Sequence, residues 1–239
     1  MSAIRAVAVV IPARDEEELI ARCLASVAAA VSATEARWGS AAPRVLTVVV
    51  ADRCQDATAE IATGFEGVDL LELDGANVGA ARAAGIRYAL AKLGSPPANT
   101  WIANTDADSA VPENWILAQL DIARRHGGVM VGTVRPDFAD LSAAQRDAWL
   151  ATHVSGHPNG HVHGANLGVR ADLYLAAGGF AELEEHEDVR LVERLRELRA
   201  RIVHSDAGEV MTSGRHRGRA PGGYSEYLAT RLVPDGSMR

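Results

Sequence analysis

Four short apolar runs alternate with helical segments in the first half of the chain, and this alternation limits the fold more than any other feature. The runs at residues 6–11 and 45–51 are rich in Val, as is typical of strands covered on both faces. Residues 70–73 and 101–103 form the shorter third and fourth runs. Strands that alternate with helices predict an α/β fold, in which helices flank a mostly parallel central sheet with right-handed crossovers.

The segments between these strands have the apolar spacing of helices. Helices are predicted at residues 16–30, 56–61 and 80–93. Asp15 is the expected N-cap of the first helix, because the acidic residues that follow it suit the positive end of a helix dipole. Residues 32–43 are rich in Ala and Ser and are predicted to form a surface loop.

The second half of the chain is less regular. Predicted helices lie at residues 112–126, 137–154, 172–177 and 188–199, and predicted strands at 129–134, 166–169, 200–205 and 209–213. The last two strands are expected at the edge of the sheet. Because no linker or internal repeat is visible, we predict a single domain over residues 1–239.

Composition excludes several classes of protein. A formal net charge of −7 argues against general binding of nucleic acid, which needs a basic surface. The two cysteines, Cys23 and Cys54, have neither disulfide nor metal-site spacing, which favours a reducing, cytoplasmic location. The first apolar run ends at Pro12, so no signal peptide is expected, and no run approaches the ~20 apolar residues of a membrane span. The sequence does not determine the oligomeric state, and a homodimer is one alternative.

Asp106 and Asp108 follow the fourth predicted strand and are separated by one alanine. On an extended backbone residues i and i+2 point to the same side, so the two carboxylates repel each other unless a cation lies between them. Mg²⁺ or Mn²⁺, which prefer oxygen ligands, would supply that cation; a solvated turn is the alternative. Residues 12–15 and Asp52 also follow strands. Because ligands of parallel sheets bind at the carboxyl ends of strands, this placement favours a metal site.

Five motifs occur in an order that resembles the family 2 glycosyltransferases, which have the GT-A fold. They lie at residues 9–17, 49–58, 77–85, 106–108 and 187–188. Asp15 stands where that family usually has Asn, and Arg53 and Cys54 replace the usual middle of the second motif. The resemblance implies a Rossmann-like first half, with residues 1–111 binding the nucleotide-sugar and residues 112–239 binding the acceptor and carrying catalysis.

The same resemblance implies an enzyme that moves a sugar from a UDP- or GDP-sugar to an acceptor hydroxyl, with Mn²⁺ or Mg²⁺ as cofactor and with inversion. Asp108 would coordinate the metal directly, Asp106 would lie nearer the ribose or bind through water, and His216 would complete the metal shell. Asp188 is the implied general base, with Glu187 as second choice. The implied donor-binding residues are Pro12, Ala13, Arg14, Asp52, Asn77, Arg82, Asp106, Ala107 and Arg215.

Most of these residues also have a purely structural interpretation. Asp52 fits a cap or an Asx-turn, and Arg82 fits an exposed helical arginine. Asp188 fits a cluster that caps a helix, and residues 215–217 fit a solvated basic loop. These alternatives stay open at the level of the sequence.

Other functions are less consistent with the chain. A nucleotidyltransferase should have a Gly-rich loop after the first strand, which residues 12–16 lack, and a dehydrogenase should have G-x-G-x-x-G there. His161 and His163 could join Asp188 in a zinc hydrolase, but we favour an acceptor-pocket or loop role for His163 without metal. The presence of Asp106, Asp108 and Asp188 together argues against a non-catalytic nucleotide-sugar-binding protein. A small-molecule acceptor is preferred over a lipid, because the tail lacks an amphipathic anchor.

Overall fold

The computed structural model describes residues 3–75, 77–158, 160–182, 186–215, 224–228 and 232. One eight-stranded sheet runs through these residues. Its strands are β1 (Ala6–Ala13), β2 (Arg44–Asp52), β3 (Val68–Leu73), β4 (Thr100–Asn104), β5 (Ser109–Ala110), β6 (Val129–Pro136), β7 (Leu167–Arg170) and β8 (Ile202–Thr212).

Helices flank this sheet and connect its strands. They are α1 (Ile20–Trp38), α2 (Thr58–Thr63), α3 (Val78–Leu93), α4 (Trp115–His126), α5 (Ala143–Thr152), α6 (Ala171–Ala176), α7 (Glu187–Glu197) and the single turn α8 (Tyr224–Glu226). Short 3₁₀ turns lie at Gly39–Ala41, Pro97–Asn99, Phe138–Asp140 and Gly164–Asn166. No helix in the described part of the chain is long and apolar enough to cross a membrane.

The strands follow the spatial order β3-β2-β1-β4-β7-β6-β8-β5. The first four strands of that order pair in parallel, which confirms the prediction from strand–helix alternation. β7 is antiparallel to both of its neighbours, whereas β6 and β8 are parallel. The carboxyl ends of β1, β2 and β4 therefore meet at one edge of the sheet.

β1 is buried on both faces, as its apolar run predicts. Val9 faces the layer that contains α1 and α4, and Val10 faces the layer that contains α3 and α7. α3 approaches the sheet closely at Gly85, where a Cβ atom would lie 2.7 Å from methyl groups of both Val10 and Val50. A larger residue at position 85 would push the helix off the strands that carry the site.

Two predictions about the first helix are wrong. α1 continues to Trp38, so most of the segment at residues 32–43 is helical, because Ala, Ser and Glu do not oppose a helix and Thr34 is buried against the core. Asp15 does not cap it, because the helix begins only at Ile20. Asp15 instead has a φ of 49° and accepts a hydrogen bond from the Gln55 backbone N–H.

The second half departs from prediction at its last strands. The two edge strands expected at residues 200–205 and 209–213 are one strand, β8, which lies between β6 and β5. An irregularity in its pairing with β6 accounts for the break in the apolar pattern. The two-residue β5 was not predicted, since a segment so short carries no periodicity. β5 directly follows Asp106 and Asp108, and its pairing with the end of β8 brings that strand end next to the two aspartates.

Candidate active site

The ends of β1 and β2 form the first wall of the site. Asp52 ends β2, is 5% exposed, and accepts a hydrogen bond through Oδ1 from the Gly75 backbone N–H at 2.9 Å. This hydrogen bond is not that of an Asx-turn, because its donor lies 23 residues away in the loop after β3. Oδ2 of Asp52 has no hydrogen-bond donor among the described residues, so it can receive a ligand N–H.

Four further residues of the expected donor pocket lie near these strand ends. Pro12 and Ala13 are the last residues of β1, and Arg14 is exposed just beyond them. Asn77 is the N-cap of α3, where its side-chain oxygen accepts the Ala80 backbone N–H at 2.7 Å. Asn77 thus orients the helix that carries Arg82.

Arg82 is 2% exposed and lies in the centre of the site, so the alternative of an exposed helical arginine is wrong. Its Nη2 atom donates to Asp106 Oδ1 at 2.5 Å, and its Nε atom donates to Glu187 Oε1 at 3.2 Å. Gly164 lies against the guanidinium, where a Cβ atom would be 2.4 Å from Nη2. The remaining nitrogen, Nη1, is buried without a hydrogen-bond partner among the described residues. A buried donor of this kind is costly unless a ligand supplies an acceptor.

Asp106 and Asp108 follow β4, with the buried Ala107 between them. The Asp108 side chain is 15% exposed, and its Oδ1 atom accepts hydrogen bonds from the hydroxyls of Ser109 and Thr212, both at 3.2 Å. Burial, and then the charge of Asp106, raise the pKa of Asp108 to about 6. Ionised Asp108 is therefore disfavoured mainly by burial and further by the charge of Asp106, and a cation bound at this pair would offset both effects.

Arg215 joins the far end of the chain to this pair. Its Nη2 atom lies 3.0 Å from Asp108 Oδ2, and the same guanidinium donates two hydrogen bonds to the Glu16 carboxylate, at 2.7 and 2.9 Å. The solvated-loop alternative is thus wrong for Arg215. His216 and residue 217 lie outside the described residues, so the expected metal ligand His216 is not described.

Sequence reasoning missed Glu16. It assigned Glu16 to the first turn of a helix, whereas the residue precedes α1 and is 7% exposed. The Glu16 backbone N–H donates to Thr58 Oγ1 at 2.7 Å, which fixes the loop after β1 to the start of α2. The available indication was that Glu16 stands in the Glu position of the family's Pro-x-x-Asn-Glu loop, three residues after the end of β1.

Glu187 and Asp188 open α7, directly after His186, which has a φ of 61°. Glu187 is 5% exposed and held by Arg82. Asp188 accepts hydrogen bonds from the backbone N–H groups of Gly164 at 2.6 Å and Val189 at 2.7 Å. Burial raises the pKa of Asp188, although Arg82 and these two N–H groups oppose that rise. Asp188 is therefore a stronger base than a solvated aspartate.

His161 and His163 lie on the loop before β7. The His163 ring meets Tyr224 edge-on at 5.4 Å between centroids, and burial lowers its pKa to about 4, so it is neutral at pH 7. Among the described residues, the two histidines do not form a three-ligand metal group with Asp188. The group of metal-binding residue types that does converge among the described residues is Asp15, Cys54 and Asp56.

The raised pKa of Asp108 predicts that this residue costs stability in the metal-free protein. Because the folded pKa of about 6 exceeds the ordinary value of 3.8, the ionised carboxylate destabilises the fold above pH 6. We expect Asp108→Asn to raise the free energy of unfolding by about 1–3 kcal/mol at pH 8, and by less as the pH falls from about 6 towards 3.8. Urea unfolding in a chelator at pH 8 and pH 5 measures both values.

The matched control is Asp74→Asn, since the Asp74 side chain is 90% exposed and pairs with Arg53. This substitution should leave stability nearly unchanged at either pH. If Asp108→Asn has a lower free energy of unfolding than the wild-type protein at pH 8, ionised Asp108 does not destabilise the fold.

With this geometry established, solved structures show where the fold belongs. TarS residues 1–349 of S. aureus, in complex with UDP-GlcNAc, matches with a TM-score of 0.65 and 16% identity, covering 92% of this chain. The mannosyltransferase PcManGT of Pyrobaculum calidifontis, in complex with GDP-Man and Mn²⁺, matches at 0.63 and 19%, covering 91%. GalNAc-T7 with UDP, GalNAc and Mn²⁺ matches at 0.62 and 13%, covering 97%. This chain therefore has the GT-A glycosyltransferase fold.

Sequence comparison then defines the family. The profile of the family described as "Glycosyl transferase family 2" matches residues 8–166, which is more than half of the chain. The chain belongs to that family. In a comparison with curated proteins, no sequence matches it. It spans 62% of the TarS chain, 59% of PcManGT and 48% of GalNAc-T7.

Proposed function

We propose that this protein is a metal-dependent glycosyltransferase that moves a sugar from a UDP- or GDP-sugar to an acceptor hydroxyl with inversion. The observation that carries the proposal is the placement of Asp106 and Asp108 beyond the end of β4, each in contact with an arginine. UDP-GlcNAc in the TarS complex and GDP-Man in the PcManGT complex support this class of donor.

The donor would lie along the carboxyl ends of the strands. Asp52 Oδ2 is suited to accept an N–H group of the nucleotide base, because Oδ1 is already bonded to Gly75. Pro12, Ala13 and Arg14 would line that end of the pocket. At the other end, Arg82 Nη1 is a buried donor that a diphosphate oxygen would satisfy.

The residues present fit a divalent cation. Asp106 and Asp108 offer carboxylate oxygens, which Mg²⁺ and Mn²⁺ prefer, and burial together with the charge of Asp106 raises the pKa of Asp108. Asp108, with Asp106 beside it, would hold the ion, which when bound acts as a Lewis acid for the charge on the leaving diphosphate. Mn²⁺ in two of the similar structures supports this assignment. His216 remains a predicted third ligand.

Asp188 would take the proton of the acceptor hydroxyl while the acceptor oxygen bonds to the anomeric carbon and the bond to the diphosphate breaks. Its two backbone hydrogen bonds orient the carboxylate, and its raised pKa suits a proton acceptor. Glu187 is the weaker candidate, because its carboxylate is already paired with the Arg82 guanidinium. A small-molecule acceptor, the division at residues 111 and 112, the cytoplasmic location and a homodimer stay predictions.

Calorimetry with a panel of nucleotides tests the proposal. We expect UDP or GDP to bind in the presence of Mn²⁺ or Mg²⁺ and to bind far more weakly in a chelator, with ADP as the comparison nucleotide. The product mixture gives a second criterion, because a glycosyltransferase releases nucleoside diphosphate whereas a nucleotidyltransferase exchanges pyrophosphate. If no nucleotide binds with either metal, the proposed function is wrong.

A further inference from the structure

We propose that Glu16 is a positioning residue that holds the Arg215 guanidinium beside Asp108 and thereby sets how readily Asp108 accepts a divalent cation. This inference rests on the proposed function for its consequence in catalysis, but its geometry is independent of any substrate. Glu16 has no assigned role in the donor pocket, the metal site or the acid–base chemistry described above.

The geometry begins with the pair itself. Both Glu16 oxygens accept from Arg215, Oε1 from Nη2 at 2.7 Å and Oε2 from Nη1 at 2.9 Å, across 199 residues of chain. Such a two-bond contact fixes the plane of a guanidinium as well as its position. The Glu16 side chain is 7% exposed and the Arg215 side chain is 30% exposed, so water screens this ion pair less than it screens a pair on the surface.

Glu16 is itself held in place. Its backbone N–H donates to Thr58 Oγ1 at 2.7 Å, and the Thr58 hydroxyl donates to Asp56 Oδ1 at 2.5 Å. These contacts attach the loop after β1 to the start of α2. A carboxylate on a fixed loop can therefore hold an arginine that arrives from the far end of the chain, just after β8.

The consequence concerns Asp108, whose Oδ2 atom lies 3.0 Å from the same Nη2 atom that Glu16 holds. Arg215 is thus an internal cation that Asp108 shares with Glu16. An incoming metal ion competes with Arg215 for Asp108, and Glu16 keeps the displaced guanidinium near the site, where a donor diphosphate would meet it. Without Glu16, Asp108 would be the one remaining ion-pair partner of Arg215 in the part of the chain that the structure describes.

The two residues should therefore change metal affinity in opposite directions. With Mn²⁺ alone and no nucleotide, we expect Arg215→Gln to bind the ion about three- to tenfold more tightly, because Asp108 loses its competing cation. We expect Glu16→Gln to bind Mn²⁺ about three- to tenfold more weakly, because Arg215 then pairs fully with Asp108. Calorimetry, or the loss of the free Mn²⁺ resonance signal, measures both values without any enzymatic turnover.

The double substitution separates positioning from a simple loss of negative charge. If Glu16 acts through Arg215, the double variant binds Mn²⁺ as tightly as Arg215→Gln does. If the two changes are additive, Glu16 acts through its own charge and the proposal is wrong. Glu17→Gln is the matched control, because Glu17 is an exposed neighbour that accepts the Ala57 backbone N–H instead of Arg215. An equal loss of affinity in that control also overturns the proposal.

Nucleotide binding provides the second measurement. Glu16→Gln and Arg215→Gln should each weaken UDP or GDP in the presence of Mn²⁺, and the double variant should be no weaker than Arg215→Gln. Should no nucleotide bind the wild-type protein, the proposed function fails, while the Mn²⁺ cycle still decides the role of Glu16. A wild-type protein that binds no Mn²⁺ overturns the role of Glu16 as well. Thermal unfolding of every variant confirms that each comparison uses folded protein.

Discussion

Asp108→Asn is expected to abolish the metal-dependent binding of UDP or GDP and to lower turnover by about 10²- to 10³-fold. The physical reason is that an amide carries no charge and is a poor ligand for Mg²⁺ or Mn²⁺, so charge on the leaving diphosphate is no longer neutralised. Calorimetry with the nucleotide that binds best, followed by initial rates at saturating metal, measures the two effects.

Asp108→Asn is also well suited to separate function from folding. Because the ionised Asp108 carboxylate destabilises the metal-free fold, this substitution should stabilise the protein while it removes the activity. Asp106→Asn is the matched variant, since Asp106 lies on the other side of Ala107 and pairs with Arg82. We expect it to weaken metal binding less than Asp108→Asn does. Turnover within tenfold of wild type in Asp108→Asn would remove this residue from the metal site.

Asp188→Asn is expected to lower kcat by about 10²- to 10⁴-fold while nucleotide affinity stays close to that of the wild-type protein. The amide cannot take the proton of the acceptor hydroxyl, but it leaves the donor pocket unchanged. The substitution also gives one of the two backbone N–H groups an unsuitable partner, because Asp188 accepts from both Gly164 and Val189. Some loss of stability, about 1–3 kcal/mol, should therefore accompany it.

Glu187→Gln is the comparison that distinguishes the two candidate bases. Glu187 pairs with Arg82, so its loss should disturb Arg82 and weaken nucleotide binding more than it lowers kcat. The pH profile at saturating Mn²⁺, which holds Asp108 ionised, adds a further criterion. The wild-type rate should fall at acidic pH as Asp188 becomes protonated, and Asp188→Asn should lose that dependence. An Asp188→Asn enzyme with unchanged turnover would exclude Asp188 as the base.

The fold could be predicted from sequence where local periodicity determines it. β1, β2 and the alternation up to β4 follow from Val-rich runs, and the family motifs place Asp52, Asp106 and Asp108 at strand ends. The arrangement of the second half could not be predicted, because β7 inserts antiparallel between β4 and β6 through long-range pairing. A short strand such as β5 is defined by its partner and not by its own residues.

The site was predicted as a set of residues but not as a set of contacts. Arg82 was assigned to the donor pocket, yet nothing in its helix indicates that it pairs with Glu187, which lies 105 residues further along the chain. Glu16 was missed for the same reason, since its partner Arg215 is 199 residues away. Ion pairs within one helix can be predicted from the spacing of the charged residues. Ion pairs between distant segments depend on which loops the folded sheet brings together.

On the proposed function, Gly164 has a consequence for attempts to change the acceptor. Its N–H group orients Asp188, and its lack of a side chain leaves room for the Arg82 guanidinium. Gly164, at the end of the loop before β7, therefore contacts both Asp188 and Arg82. If residues 156–163 contribute to an acceptor pocket, libraries that vary them need to keep Gly164 in place. Any side chain at position 164 would displace Arg82, which we propose contacts the donor, so donor binding would change together with acceptor choice.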